Sequence, residues 1–488
     1  MNQFIIIILG FISRAFFLKY LDETYLGINS LFTEVLSVLS LADLGINTVM
    51  VYSFYKPLAE SDIKKLTALL TFFKSIYRAI AIVVTILGIL ILPFLNYIIK
   101  LDEAIRLLNI YYIIFLSKTV LSYMFVYRAS ILNADQKGYI LNYVTSCVNI
   151  VTTFLQITVL VYFKSYLLFL LLNVLSILAN NCICAKKAEK IYPFIKSKEK
   201  LSLNEKAEIF LNIKSGFLYK LSSVLINSTD NILISAMLGT ATVGYYSNYG
   251  LVINKLSTII NIIFSSMVSS IGNLMVTESR EKKYQIFSIM QMLSFWGGGI
   301  TCVCVFMMMD DLILLWIGEK YILNMGVLSA CVVNFYLSIV LQPLWTYREA
   351  TGLYQQTKNV MLCTAGLNII LSIFLGQFIG LSGIIFASAL SRLFTYCWYE
   401  PLLLFKQYFH QCVSNYFFRH IYNIVIILII IIIEHKITNK IICKTWIVFI
   451  GKSGLVLLMT FIFFMTAYFW RNDFKVVLCY IRDRLKCL

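Results

Sequence analysis

The stretch Lys220-Leu221-Ser222-Ser223-Val224-Leu225-Ile226-Asn227-Ser228-Thr229-Asp230-Asn231-Ile232-Leu233-Ile234 sets polar side chains into an apolar run at helical intervals. Counted from Lys220, residues Ser223, Asn227 and Asn231 fall at i+3, i+7 and i+11, within about 60° of one line along a helix, and Asp230 adjoins that line. A second stripe, Asn29, Thr33, Ser40 and Asn47, occupies another apolar segment long enough to cross a bilayer. Hydrocarbon offers no hydrogen bonds, so polar groups at that depth must face a partner helix or a cavity. Both stripes predict membrane-spanning helices that line a path.

The remainder of the chain agrees. Of its 488 residues 60% are hydrophobic and only 13% are charged, which places it among integral membrane proteins. A spanning helix needs roughly 20 mainly apolar residues, and about fourteen such runs are present. They lie near 2–20, 28–54, 74–98, 105–127, 139–163, 165–185, 214–238, 243–271, 285–309, 325–346, 359–379, 382–404, 417–433 and 445–470. The runs are too long for barrel strands and lack their alternation. The first has no basic start and no clear cleavage site, and Arg14 and Lys19 interrupt it, so it reads as a retained helix and not a secretory signal.

The net charge of +17 changes meaning once it is distributed over the runs. With a cytoplasmic N-terminus, most Lys and Arg residues fall in or beside cytoplasmic loops, densest at Lys186, Lys187, Lys190, Lys196, Lys198, Lys200 and Lys206. This is a positive-inside topology with attraction to membrane lipids of negative charge, and it argues against a nucleic-acid partner. The 12 cysteines are scattered, the close pairs Cys182 with Cys184 and Cys302 with Cys304 have no matching cluster, and the 3 histidines have no metal spacing. Neither a metal nor a cofactor is expected.

Every loop is short except 186–212, where Ser202-Leu203-Asn204-Glu205 reads as a capping box opening a short interfacial helix. That loop separates two halves that resemble each other. Leu26-Gly27-Ile28-Asn29-Ser30 recurs 217 residues later as Val243-Gly244-Tyr245-Tyr246-Ser247. Tyr127-Arg128 and Gln136 recur 220 residues later as Tyr347-Arg348 and Gln356. Two similar offsets predict tandem six-helix bundles, 1–185 and 213–405, joined by the basic linker 186–212 and followed by two further helices and a basic cytoplasmic tail over 406–488.

Arg14, Asp43, Lys118, Lys220, Asp230, Lys255, Arg392 and Lys452 fall inside apolar runs. Each costs on the order of 2.5–3.5 kcal/mol at a helix centre unless it is paired, snorkelling or in a cavity. Lys118, Arg392 and Lys452 read as well as structural pairs as they do as functional groups. The others converge on the first, second, seventh and eighth helices, the eighth adding Ser247, Asn254, Lys255, Thr258 and Asn261. The candidate cavity is therefore lined by Arg14, Asn29, Asp43, Asn47, Lys220, Asn227, Asp230, Asn231, Asn254 and Lys255. The bland alternative is a set of interhelical hydrogen bonds and the ion pairs Asp43 with Arg14 and Asp230 with Lys220 or Lys255, which would only hold the bundles together. Three basic groups against two acids favour an anionic guest such as phosphate or pyrophosphate.

At Tyr25-Leu26-Gly27-Ile28-Asn29-Ser30-Leu31-Phe32, Leu39-Ser40-Leu41-Ala42-Asp43-Leu44-Gly45, Tyr55-Lys56-Pro57-Leu58-Ala59-Glu60, Asn227-Ser228-Thr229-Asp230-Asn231, Tyr246-Ser247-Asn248-Tyr249 and Arg348-Glu349-Ala350-Thr351-Gly352-Leu353-Tyr354, the chain resembles the polysaccharide transporters of the multidrug/oligosaccharidyl-lipid/polysaccharide exporter superfamily. Specifically, it resembles Wzx-type flippases. The resemblance weakens after about residue 410. It implies an all-α, V-shaped transporter of the bacterial inner membrane that moves an undecaprenyl-pyrophosphate-linked oligosaccharide between leaflets by alternating access and works alongside a polysaccharide polymerase machinery. Arg14, Lys220 and Lys255 would neutralise the pyrophosphate, while Asn, Ser and Tyr side chains, Tyr249 among them, would contact sugars. Family members usually carry a longer stretch ahead of the first helix, so a shortened start is expected here.

Two other readings compete. A cation-coupled drug antiporter of the same fold would use a carboxylate-dominated cavity. A membrane-embedded glycosyltransferase or polymerase would carry a large external loop with catalytic carboxylates or histidines, whereas the outside loops here are short; no catalytic residue is expected. Gly451-Lys452-Ser453 ends like a phosphate loop, but Trp446 stands where the leading Gly is required. Energy would come from an ion gradient, the membrane potential or consumption of the product.

Overall fold

The structure is a computed structural model, described for residues 2–40, 46–95, 99, 100, 105, 107–197, 199–470 and 474; side chains at a few helical positions, including Lys220, Ser223 and Asn227, lie outside the described set. Among the described residues the secondary structure is entirely helical. The helices in chain order are α1 (Asn2–Tyr20), α2 (Glu23–Leu39), α3 (Ile46–Ala59), α4 (Ile63–Ile91), α5 (Leu108–Tyr123), α6 (Val126–Ala134), α7 (Gly138–Phe163), α8 (Tyr166–Ile191) and α9 (Leu203–Leu238). They continue as α10 (Thr240–Thr277), α11 (Arg280–Trp316), α12 (Met325–Val340), α13 (Gln342–Thr351), α14 (Tyr354–Ile379), α15 (Leu381–Phe394), α16 (Tyr396–Leu404), α17 (Ser414–Thr438) and α18 (Trp446–Tyr468).

Nine helices are long and apolar enough to cross a membrane, and eleven if the bent pairs α5–α6 and α12–α13 each count as one span, among the described residues. The other three predicted runs hold helix among their described residues: 2–20 is α1, 28–54 overlaps α2 and α3, and 214–238 is the second part of α9. The chain is a multi-pass membrane protein, built so that backbone groups are satisfied within each segment. Helix starts are fixed by the expected residue types: the side chains of Asp62, Ser165, Ser279, Asn324 and Thr445 each accept a hydrogen bond from a backbone N–H three residues on.

One expectation is corrected. The capping box is present, with the Ser202 N–H donating to Glu205 Oε2 at 3.0 Å, but the helix it opens is not short: α9 runs 36 residues without interruption. The runs 105–127 and 325–346 are not straight, since α5–α6 bends by 47° and α12–α13 by 40°. Pro343 in the first turn of α13 supplies one cause, because it cannot donate back to the preceding turn. Gly380 is the positive-φ turn residue between α14 and α15, with φ +64°.

The chain divides into two compact units, 1–244 and 245–488. In the first, α1 packs on α7, α7 on α8, α5 on α8, and α9 on α2. Phe17, Tyr25, Tyr111, Tyr166 and Phe169 form an aromatic cluster between α1, α2, α5 and α8, with centroids 4.8–6.4 Å apart. At one point two helices meet backbone to backbone. A Cβ on Gly27 would lie 2.0 Å from the Thr240 carbonyl oxygen, and one on Gly244 would lie 2.1 Å from that of Glu23. Glu23 and Thr240 are the first residues of α2 and α10 and are 217 positions apart, as are Gly27 and Gly244. The contact therefore reads the same from either helix, and only glycine permits it.

In the second unit, α11 is the hub for α12, α17 and α18. Ser294 donates to the Ile339 carbonyl at 2.8 Å and Gln291 to that of Val340 at 3.0 Å, tying α11 to α12. Gly299 seats the Phe464 ring of α18. Lys452 of α18 is ion-paired with Asp311 of α11 at 2.7 Å, so this intramembrane lysine is a structural tie.

Candidate functional site

In the first unit the polar surface is the seam between α2 and α9. α2 buries Leu26, Ile28, Leu31, Phe32, Val35 and Leu36, which leaves Asn29, Ser30, Thr33, Glu34 and Ser37 on its less covered side. The Asn231 side-chain amide of α9 donates to Glu34 Oε1 at 3.4 Å, and Ser228, one turn earlier on α9, hydrogen-bonds the same carboxyl. The Asn231 Oδ1 atom is buried without a hydrogen-bond partner among the described residues. A carboxyl group flanked by amide and hydroxyl donors can accept ligand hydroxyls or hold a cation.

In the second unit the polar surface is one line of α10. Asn254, Thr258, Asn261 and Ser265 stand at i, i+4, i+7 and i+11, and all four are exposed. Ile259, Ile262 and Ile263 form the neighbouring exposed strip. The line lies within a helix that meets the length and hydropathy of a membrane span, so facing it to lipid would be costly, whereas facing it to water is not. Thr258 and Ser265 donate to carbonyls of their own helix at 2.7 and 3.2 Å, and the partly exposed Lys255 follows Asn254 on the adjoining face. Asn261 accepts from Gln342 of α13.

The sequence candidates fall out as follows. Asn231 and Asp230 sit side by side on α9 at the Glu34 seam, both half-buried. Asn29 is half-buried on α2, its carbonyl accepting from Thr33 at 2.7 Å. Asn47 is exposed on α3 and accepts from Ser130 of α6 at 3.0 Å. Arg14 is half-buried on α1, which packs on α7. Asn254 and Lys255 share the open face of α10. Asp43, and the side chains of Lys220 and Asn227, lie outside the described residues. Tyr249 is corrected: it is fully buried, its hydroxyl donating to Asp310 at 3.0 Å and accepting from the Leu323 N–H at 2.9 Å, so it fastens α10 to α11 and has no face for a ligand.

Glu34 is the residue that sequence reasoning missed. It lies about 140° around the helix from Asn29, off the stripe that drew attention. Its signal was a second spacing, Ser30, Glu34 and Ser37 at i, i+4 and i+7.

No family model matches the chain, and no curated protein matches it. Solved structures do. The lipid II flippase MurJ in an inward closed conformation superposes with a TM-score of 0.71 at 14% identity, over 96% of this chain and 98% of that one. An inward-facing multidrug resistance MATE family transporter of the MOP superfamily gives 0.59 at 12% identity, over 82% and 93%. An outward-facing one gives 0.51 at 12%, over 80% and 92%. At such identities the likeness is one of architecture: this all-α integral membrane chain shares the fold of these transporters.

Proposed function

We propose that the chain is a flippase that carries an undecaprenyl-pyrophosphate-linked oligosaccharide repeat unit across the bacterial inner membrane by alternating access, for capsule, exopolysaccharide or O-antigen synthesis. Its N- and C-termini would be cytoplasmic. The observation that carries this reading is the exposed polar line of α10, with the partly exposed Lys255 next to Asn254 in the chain, inside a helix long and apolar enough to span a membrane. A doubly charged pyrophosphate cannot cross about 30 Å of hydrocarbon unaided, since burying an unpaired charge costs tens of kcal/mol in the Born limit. A water-filled polar line removes that cost for the head group, and Lys255, with Arg14 and Lys220, would neutralise it. The amides of Asn29, Asn47, Asn227, Asn231 and Asn254 would serve sugar hydroxyls, with Asp43 and Asp230 fixing the basic groups. The likeness to a lipid II flippase over nearly the whole of both chains supports the reading. The protein would move its substrate without making or breaking a bond.

A second reading, a cation-coupled drug antiporter, draws on the Glu34 carboxyl in the α2–α9 seam and on the MATE-like fold. Expression in a bacterial strain lacking its own repeat-unit flippase, supplied with candidate lipid-linked repeat units, separates the two. Restored surface polysaccharide supports flipping. Unchanged polysaccharide with raised drug tolerance, at normal membrane levels of the protein, supports the antiporter and overturns the flippase.

A further inference from the structure

The repeated Tyr-Arg pair has a matching acid in each unit. Arg128 of α6 is ion-paired with Glu189 in the last turns of α8, and Arg348 of α13 with Glu400 of α16 at 2.5 Å. In both cases the arginine rides the second arm of a bent span, α5–α6 or α12–α13, and the bend is 47° or 40°. The two copies are set differently. The Arg128 and Glu189 side chains keep 27% and 19% of their exposure, against 7% and 5% for Arg348 and Glu400.

We propose that α6 is a releasable strap, fastened to α8 by the Arg128–Glu189 pair, whereas its counterpart α13 is permanently fixed. A partly exposed pair is near break-even in water and is weakened by salt, so it opens readily. A dry pair cannot open without stranding a charge. Tyr347 is fully buried and donates to the Lys283 carbonyl at 3.1 Å, binding α13 to α11. Tyr127, also buried, accepts from its own neighbour, Arg128 Nε, at 2.9 Å. α6 also packs against α3 and α8 and buries Ile131 and Leu132; its Ser130 donates to Asn47 at 3.0 Å and equally to the Val126 carbonyl at 3.0 Å, so it can surrender Asn47 without losing its bond. Asn47 is exposed and belongs to the proposed substrate surface, so a ligand taking up Asn47 would loosen the strap; only this coupling rests on the flippase reading.

Hydrogen exchange of the full-length protein in lipid nanodiscs, without substrate, tests the strap alone. Glu189→Gln should speed exchange of residues 126–134 about two- to fivefold, the range a partly exposed pair supports. Raising NaCl from about 0.05 to about 0.5 M, which shortens the screening length severalfold, should do the same in the wild type while leaving 342–351 unchanged. Arg128→Glu combined with Glu189→Arg should restore slow exchange. Exchange of α6 that ignores both the substitution and salt, or that rises equally in α13, overturns the proposal; if Glu189→Gln fails to insert, the wild-type salt series decides.

Discussion

Gly27→Ala places a methyl group 2.0 Å from the Thr240 carbonyl oxygen, where ordinary contact begins at 3.4 Å. Neither side can yield locally, because one is the axis of α2 and the other is backbone at the start of α10, so the helices must part by roughly the missing 1.4 Å. Overpacking of this kind costs about 3 kcal/mol at the upper end of its usual range, and the gain in helix propensity from Gly to Ala returns about 1 kcal/mol. The net is about 2 kcal/mol of destabilisation. At about 2.1 cal/mol/K of unfolding entropy per residue, that lowers Tm by about 2 °C if the whole chain unfolds together and about 4 °C if one unit does. Gly244→Ala, 2.1 Å from the Glu23 carbonyl, should cost the same. The double variant should cost much less than the sum, since the first methyl has already parted the helices for the second. Gly250→Ala, on α10 with nothing within 4 Å of its Cβ, is the control and should be neutral or stabilising. Thermal unfolding of the purified protein in one detergent, with all four variants side by side, reads these shifts. Gly27→Ala as stable as Gly250→Ala, or strictly additive losses in the double variant, would refute the reasoning.

Other outcomes follow from single contacts. Tyr249→Phe removes the partner of the half-buried Leu323 N–H and of Asp310, and should lower stability by about 1–3 kcal/mol while leaving transport selectivity unchanged, as measured by unfolding and export together. Lys452→Met leaves Asp311, which keeps 21% exposure, without its partner at a cost of about 2 kcal/mol, and adding Asp311→Leu should recover most of it in the same assay. Asp135 accepts from Lys137 at 2.7 Å and from Tyr192, and these bonds hold its carboxyl below the usual range. A depressed folded value means the contact is complete above the ordinary Asp value of about 3.9 and is lost as pH falls through the lower folded value. Exchange of the amides near 135–137 should therefore show an unchanged opening equilibrium across about pH 5–8, loosening only under acid, and Asp135→Asn should loosen it across about pH 5–8 and converge with the wild type under acid.

Hydropathy carried most of the architecture, because a bilayer demands long apolar runs and each run holds helix among its described residues. The internal repeat was equally legible: the 217-residue offset found in Leu26-Gly27 and Val243-Gly244 relates the first residues of α2 and α10. Bends were not legible, since an apolar run continues through a kink, and only Pro343 marked one. Charge partners were hidden for a different reason. Glu189 and Glu400 stand 61 and 52 residues from their arginines, beyond any periodicity, so the Tyr-Arg motif showed one half of each pair. Tyr249 shows the same limit from the other side: its place beside polar residues fitted a sugar contact, and only the fold reveals that Asp310 and the Leu323 N–H occupy its hydroxyl.

The central claim is tested most directly with purified protein in liposomes carrying a fluorescent polyprenyl-pyrophosphate oligosaccharide, by following its arrival in the opposite leaflet with a membrane-impermeant quencher. Wild type should accelerate transfer well above protein-free vesicles, and Lys255→Ala and Asn254→Ala should slow it without lowering Tm. Transfer no faster than in empty vesicles, from protein that remains folded and exchanges a cationic drug for protons or sodium, would contradict the account.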